Sequence, residues 1–296
     1  MFRLYPDMPT FCDAWDVDSF DETVEVPLEQ AVAEPGIGSS LVISQKLPNS
    51  RISQRVTLKP GSSRLDFETT VDWQESHKLL KVDFLTNIHT EEMLSETQFG
   101  YVKRPTHRNR PYDADRFEVC QHKWSALCEG RRGVAILNDS KYGISARESR
   151  MSLTLLKAPA RPDLYADKGI QVFTYSLMPF GTDFFDSGVV QQAYELNVPV
   201  TVLPGCGPEK TWLAVSESNV ILDTGKPAED GSDDVIVRLY ECQNSGTGCK
   251  VEFGFDVKEV FLTDMLENNK SVLPVQNGAV EFSIKGFEVV TLRLKR

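Results

Sequence analysis

Residues 64–73 read RLDFETTVDW. Leu65, Phe67, Thr69, Val71 and Trp73 fall on one side of an extended chain, and Arg64, Asp66, Glu68, Thr70 and Asp72 on the other. Strict period-two alternation marks an antiparallel strand with one face on a core and one in water. Upstream, Lys59-Pro60-Gly61-Ser62-Ser63 reads as a turn that joins the strand-like run 51–58. Downstream, Leu80, Val82, Phe84 and Thr86 repeat the alternation within 79–86. The three runs are expected to form a meander.

Further β-prone runs follow. Residues 116–124 carry Phe117, Val119 and Trp124, and 133–137 are nearly all aliphatic. The two are expected to be adjacent strands joined by a short polar link. The second ends in Asn138-Asp139-Ser140-Lys141-Tyr142-Gly143, a cluster of turn-formers. Residues 151–156, 169–178 and 189–196 also read as strands. The first 40 residues, broken by Pro6, Pro9, Pro27 and Pro35, read as irregular. No window sustains the i, i+3, i+4, i+7 apolar pattern of a long helix, so the chain is expected to be all-β. Pro199, Pro204 and Pro208, with Gly205 and Gly207, mark a boundary between a domain at 1–204 and another at 205–296. About seven short strands over roughly 90 residues in the second point to a small β-sandwich.

Composition narrows the function. The chain has 296 residues, 41% hydrophobic and 25% charged, as in globular proteins with a real core. A net charge of −11 argues against a nucleic-acid partner, which calls for a basic stripe. No apolar run approaches the ~18 residues of a membrane-spanning helix. The N-terminus has no apolar signal segment, so a cytoplasmic or vacuolar location is expected. The six cysteines include no C-x-x-C pair and read as thiols in a reducing compartment. Asn138-Asp139-Ser140 and Asn269-Lys270-Ser271 are glycosylation sequons, relevant only in a secreted chain.

Candidate site residues cluster in the polar loops, where a β-scaffold presents side chains at its rim. They are Arg104, Thr106, His107 and Arg108 in the first loop, and Asn138, Asp139, Lys141 and Tyr142 in the second. Trp15, within Asp13-Ala14-Trp15-Asp16-Val17-Asp18, could stack on a sugar ring. Asp16 and Asp18 would suit a metal or a sugar, although a solvated strand end or a helix N-cap is the simpler reading. His122 shares a strand face with Trp124 and reads as a hydrogen-bonded core or edge residue. There is no G-x-S-x-G, no phosphate-cradling glycine loop and no zinc spacing. From the residues alone this is a two-domain β-protein with one interesting rim and no complete catalytic set.

Three stretches add a resemblance. FGYVKRPTHRN (99–109), RFEVCQHKW (116–124) and GVAILNDSKYG (133–143) resemble the C-terminal β-region of glycoside hydrolase family 38 α-mannosidases, the cytosolic and vacuolar branch above all. DAWDV (13–17), LLKAP (155–159), FTY (173–175), RLYE (238–241) and DMLEN (264–268) continue it in order. The resemblance implies a galactose-mutarotase-like β-supersandwich followed by a small C-terminal β-sandwich. It leaves open that the first strands of the supersandwich are missing. It also implies a retaining, zinc-dependent hydrolase of terminal α-mannose, with nucleophile and zinc in an N-terminal α/β domain followed by a helical bundle. This chain carries neither, so no catalytic residue, metal ligand or bound cofactor is expected within it. Its implied partners are those domains and α-mannoside glycans, with no nucleic acid or membrane, in an enzyme that is a homo-oligomer when complete. The two polar loops would face the catalytic domain. Gly169-Ile170-Gln171 and Pro179-Phe180 depart from the branch, whose members have histidines there. Two alternatives stay open: a free-standing glycan-binding module using the rim and Trp15, and a mutarotase-like isomerase pairing His107 with Glu118 or Asp139.

Overall fold

The computed structural model describes residues 1–17, 24–205, 207 and 210–296; Asp18 and Cys206 lie outside them. It divides into two compact units, Met1–Glu96 with Val102–Val200, and Thr97–Tyr101 with Thr201–Arg296. The chain is all-β apart from short helices, as expected.

In chain order the first strands are β1 (Phe2–Pro6), β2 (Val32–Pro35), β3 (Ser40–Lys46), β4 (Arg51–Leu58), β5 (Leu65–Trp73), β6 (Lys78–Leu85), β7 (Glu92–Thr97) and β8 (Gly100–Pro105). After helix α1 (Pro111–Asp115) come β9 (Val119–Cys120), β10 (Trp124–Glu129), β11 (Arg132–Asn138), β12 (Gly143–Arg147), β13 (Arg150–Lys157) and β14 (Gly169–Phe180). Helix α2 (Val189–Asn197) follows. A five-stranded sheet has the order β1-β6-β13-β12-β9, and a nine-stranded sheet the order β2-β3-β4-β5-β14-β11-β10-β7-β8. The core lies between them. Leu4, Leu80, Val82 and Leu153 from one sheet meet Ile52, Val71, Tyr175 and Ile136 from the other.

From Glu68 onward the opening stretch behaves as its alternation predicts, whereas Arg64 and Asp66, expected in water, are buried and paired with each other at 2.8 Å. Val71 and Trp73 are fully buried, while Glu68, Thr70 and Asp72 are exposed. Trp73 Nε1 donates to the Lys157 carbonyl at 3.0 Å. Four other expectations change. The runs 51–58, 64–73 and 79–86 are not a meander: β4 and β5 pair, but β6 crosses to the five-stranded sheet. Alternation gives the buried face of a strand, not its neighbour. The first 40 residues hold β1 and β2. Residues 116–124 do not form one strand; Val119–Cys120 pairs with β12, and Trp124 belongs to a different strand. The strand beside β11 starts at Trp124 and includes the supposed polar link, with Trp124 opposite Leu137 and Glu129 opposite Arg132.

Residues 189–196 form a helix rather than a strand. Val189 and Val190 suggest β, but Gln191, Gln192, Ala193, Glu195 and Leu196 favour helix. Val189 and Ala193, four apart, are the buried pair, as one helical face requires. Gln192 N donates to the Gly188 carbonyl at 2.9 Å, and Gly188 has φ +74, a region glycine enters without strain. The helix packs on β10 and β11.

Gly133 on β11 shows why that aliphatic run opens with glycine. A Cβ there would meet the Leu127 carbonyl oxygen at 2.5 Å as well as the Phe180 ring.

The second unit contains β15 (Leu213–Val215), β16 (Val220–Pro227), β17 (Val235–Glu241), β18 (Thr247–Phe253), β19 (Glu259–Thr263), β20 (Asn269–Leu273), β21 (Ala279–Ile284) and β22 (Val289–Lys295). Sheets β15-β18-β21 and β16-β17-β22-β19-β20 enclose Val237, Leu239, Val251, Val260 and Leu292. Buried Glu241 ends the RLYE segment. Its carboxylate takes bonds from Asn219 Nδ2 (2.9 Å), Gln243 N (2.7 Å), Ser245 N (3.1 Å) and Phe287 N (3.0 Å). A buried carboxylate this well satisfied organises loops.

Candidate functional site

The two polar loops do not form one rim. β7, β10 and β11 lie side by side, with Ser125 opposite Ser95, Leu127 opposite Met93, and Trp124 opposite Leu137. Antiparallel register therefore groups Glu92 with Glu129 and Arg132 at one end, and Glu96 with Trp124 and Asn138 at the other. Thr106 joins the first end: its N–H donates to the Glu91 carbonyl at 3.0 Å and its hydroxyl to the Thr90 carbonyl at 2.6 Å. The 104–108 loop and the 138–142 turn thus sit at opposite ends of the same strands.

At the first end, a cavity of about 410 Å³ is lined by His89, Thr90, Glu91, Thr106, His107, Asn109 and Glu148. Thr106 is buried and also accepts from Glu148 N at 2.9 Å, so it clamps the loop. His107 Nδ1 lies 3.7 Å from Asp113 Oδ2 and accepts weakly from Asn109 N at 3.4 Å. The histidine faces neither Glu118 nor Asp139. Glu118 is bound to Lys81 and Thr154, and Asp139 belongs to the other end. Asp113 is held by Arg110 through bonds of 2.9 and 3.0 Å, and that pairing keeps its carboxyl below the usual range. Arg104 is half-buried on β8 and Arg108 is exposed.

At the second end, Asn138 is buried and both its amide nitrogen and its oxygen are bonded. Nδ2 donates to the His122 carbonyl at 2.7 Å, and Oδ1 accepts from Lys141 N at 2.6 Å. That burial removes the 138–140 sequon from use. Asp139 accepts from Thr174 N at 2.8 Å and Ser140 Oγ at 2.9 Å, tying the turn to β14. Lys141 Nζ lies 4.3 Å over the Phe173 ring; burial lowers its pKa, against the pull of Asp139 and Asp167. Tyr142 is exposed and meets His122 edge-on at 5.6 Å. Beneath them lies Glu96, which the loop pattern did not suggest because it ends a strand. Burial pushes its carboxyl up, against the pull of Lys123. A raised carboxyl suits a general acid. Here, however, its oxygens bind Lys123 N at 2.6 Å and Lys123 Nζ at 2.8 Å.

Trp15 belongs to a third place. Its turn closes through Trp15 N donating to the Cys12 carbonyl at 3.0 Å, and the indole is 70% exposed. Buried Asp13 anchors the turn: its carboxylate accepts from Ala160 N (2.8 Å) and Arg161 N (2.7 Å) and lies 3.1 Å from His77 Nδ1. Burial alone would raise this carboxyl, but the two amides and His77 outweigh it and hold it below the usual range. A lowered folded pKa gives stability that is present above the unfolded value and lost as pH falls through the folded one. Asp13→Asn is therefore expected to cost about 2 kcal/mol at pH 7, the typical loss for bonds to a charged acceptor. Urea denaturation of both proteins from pH 7 to 3 should show the gap narrowing below about pH 4. A gap constant with pH would mean that charge plays no part.

Among the described residues, no three His, Cys, Asp or Glu side chains converge as a metal site, and Cys12, Cys120, Cys128 and Cys249 are free thiols. No helix among the described residues is long and apolar enough to cross a membrane.

Comparison with known proteins adds identity to this geometry. The model of the glycosyl hydrolases family 38 C-terminal domain matches residues 1–165, and that of the family 38 C-terminal beta sandwich domain matches 219–292. The chain is 41% identical to alpha-mannosidase 2C1 of Homo sapiens over 99% of its own length and 30% of that protein's. It is 30% identical to alpha-mannosidase of Saccharomyces cerevisiae, again over 99% and 30%. An alpha-mannosidase from Enterococcus faecalis V583 has the same fold, with a TM-score of 0.81 over 99% of this chain and 38% of that one at 19% identity. The chain thus spans about 30% of the length of the curated relatives it matches.

Proposed function

Because the chain belongs to the glycosyl hydrolases family 38 C-terminal domains, we propose that it serves as the C-terminal β-scaffold of an α-mannosidase. The observation that carries this reading is the 41% identity to alpha-mannosidase 2C1 over 99% of the chain. Acids near both loops support a scaffold role, since Asp113, Asp139, Glu96 and Glu118 are each committed to neighbouring amides or cations. The whole enzyme would remove terminal α-mannose with retention, through two carboxyl groups on either side of the glycosidic bond. Those carboxyls and the zinc are assigned to a catalytic α/β domain with its helical bundle. Among the described residues no three His, Cys, Asp or Glu side chains come together to hold a zinc ion. A cytoplasmic or vacuolar location and a homo-oligomeric whole enzyme go with this reading.

The test is an assay of the pure chain on an aryl α-mannoside with zinc or cobalt. No turnover above the blank is expected; robust turnover would place the chemistry in this chain. One observation favours a second reading, a glycan-binding module: Trp15 is exposed on a rigidly anchored turn. Saturable binding of mannose oligosaccharides that disappears in Trp15→Ala would decide for it.

A further inference from the structure

The second compact unit is discontinuous in sequence. Thr97–Tyr101, where β7 turns into β8, belongs to it together with Thr201–Arg296. Inside that unit the Phe99 ring meets the Tyr240 ring edge-on at 5.4 Å, and the Tyr101 ring meets Phe287 edge-on at 5.4 Å. Gly100, between the two, is buried, and a Cβ there would lie 2.7 Å from the Phe287 ring. Two stretches singled out in the sequence, FGYVKRPTHRN and RLYE, thus touch through Phe99 and Tyr240.

Along β17, Val237 and Leu239 enter the sandwich core, so alternation turns Tyr240 to the other face of its sheet. Tyr240 is nonetheless buried, and Phe99 is one of the groups that cover it. Both phenylalanines have left-handed backbones, φ +57 at Phe99 and +58 at Phe287. Bulky residues occupy that region only where their surroundings impose it. At Phe287 the imposition is visible. Its N–H donates to the buried Glu241 carboxylate at 3.0 Å, Glu241 N donates to the Glu288 carbonyl at 3.1 Å, and a Cβ on Gly286 would run into the Asn244 backbone. Glu241 directly follows Tyr240, so the residue that receives Phe99 and the one that fixes Phe287 are neighbours on β17.

We propose that Phe99, Gly100 and Tyr101 are a lock for the second unit. Its sandwich stays closed only while this turn is seated on Tyr240 and Phe287, and Glu241 maintains the seat by holding Phe287 in its left-handed conformation. The backbone strain at Phe99 and Phe287 accompanies the seating, and the ring contacts offset it. Glycine at 100 is what lets the Phe287 ring close over the turn. It follows that the boundary expected at 204/205 divides the sequence without dividing the folding units: residues 205–296 alone lack a part of their own unit.

The test is amide exchange across the whole chain, which reports the opening of each unit separately. Phe99→Gly removes the ring and frees the backbone together. If strain were the main contribution of Phe99, this variant would exchange more slowly than the parent. Loss of a lock should instead speed exchange in β17 and β22 at least tenfold, while β5 and β14 stay within twofold of the parent. Gly100→Ala pushes the Phe287 ring away and should do the same. Phe287→Ala should also reach tenfold in the parent, but less than twofold when added to Gly100→Ala, because the ring is already unseated. Unchanged or slower exchange of β17 in Phe99→Gly overturns the proposal, as does a full tenfold effect of Phe287→Ala on top of Gly100→Ala. Equal acceleration of β5 and β17 overturns it too, and loss of the whole fold counts as that result. If Gly100→Ala alone does not fold, Phe99→Gly, which adds no atoms, decides. None of these outcomes bears on the scaffold reading, which turnover by the pure chain would sink.

Discussion

Lys81→Met is expected to destabilise the first unit by about 3–5 kcal/mol, the range for removing one member of a buried ion pair. Lys81 is 1% exposed, and its ammonium is paired with Glu118 Oε2 and 3.5 Å from Ser145 Oγ. Glu118 Oε1 accepts from Thr154 Oγ1 at 2.7 Å. Gly143 leaves room for this carboxylate: a Cβ at that position would strike Glu118 Oε1. With the lysine gone, the carboxylate stays in a narrow site with a single hydroxyl for company. The side chain of Glu118 retains 17% exposure, so water relieves part of the cost and the lower half of the range is expected. Lys81→Met combined with Glu118→Leu removes both charges and should recover most of the loss. Urea denaturation of the parent, both single variants and the double variant measures the coupling. A single-variant loss under about 1 kcal/mol would show that the pair behaves like a surface bridge.

Lys81 also shows where sequence reading reaches its limit. The alternation of β6 correctly puts Leu80 and Val82 inside. By the same rule Lys81 and Asp83 belong in water, yet both are buried. Their partners come from other strands: Glu118 for Lys81, and Arg3 and Arg150, each 3.5 Å away, for Asp83. Periodicity reports which side chains share a face, not what covers it. Residues 64–73 were legible because one of their faces meets the core and most of the other meets solvent. The loops suffered from the same blindness to pairing. Residues 104–108 and 138–142 are alike in composition, and only the register of β7, β10 and β11 reveals that they sit at opposite ends. Residues 125–132 read as a polar link because Ser125, Glu129, Arg131 and Arg132 are polar, although Ala126 and Leu127 are fully buried. In residues 189–196 two valines suggest a strand, against the helix-favouring run Gln191–Leu196 and the four-residue spacing of Val189 and Ala193.

Trp124→Ala carries the other large expectation, a loss of about 3–5 kcal/mol, as for large aromatic residues removed from a core. The indole is 2% exposed and opens β10 opposite Leu137. It rests on Phe184 with ring centroids 4.7 Å apart, and Phe184 in turn meets Phe180 at 6.1 Å and Phe185 at 5.4 Å. Phe184 lies in the single turn just before α2, so this ring cluster pins the segment that leads into the helix. Deleting the indole opens space under Phe184. Trp124→Phe keeps a ring against Phe184 and should lose less than half as much. The consequence should also be local: amides of Val189–Asn197 should exchange faster in Trp124→Ala, ahead of those in β5, because the helix loses its anchor before the sheets separate. If helix and sheet amides accelerate together, Trp124 contributes burial to the whole core and does not anchor α2.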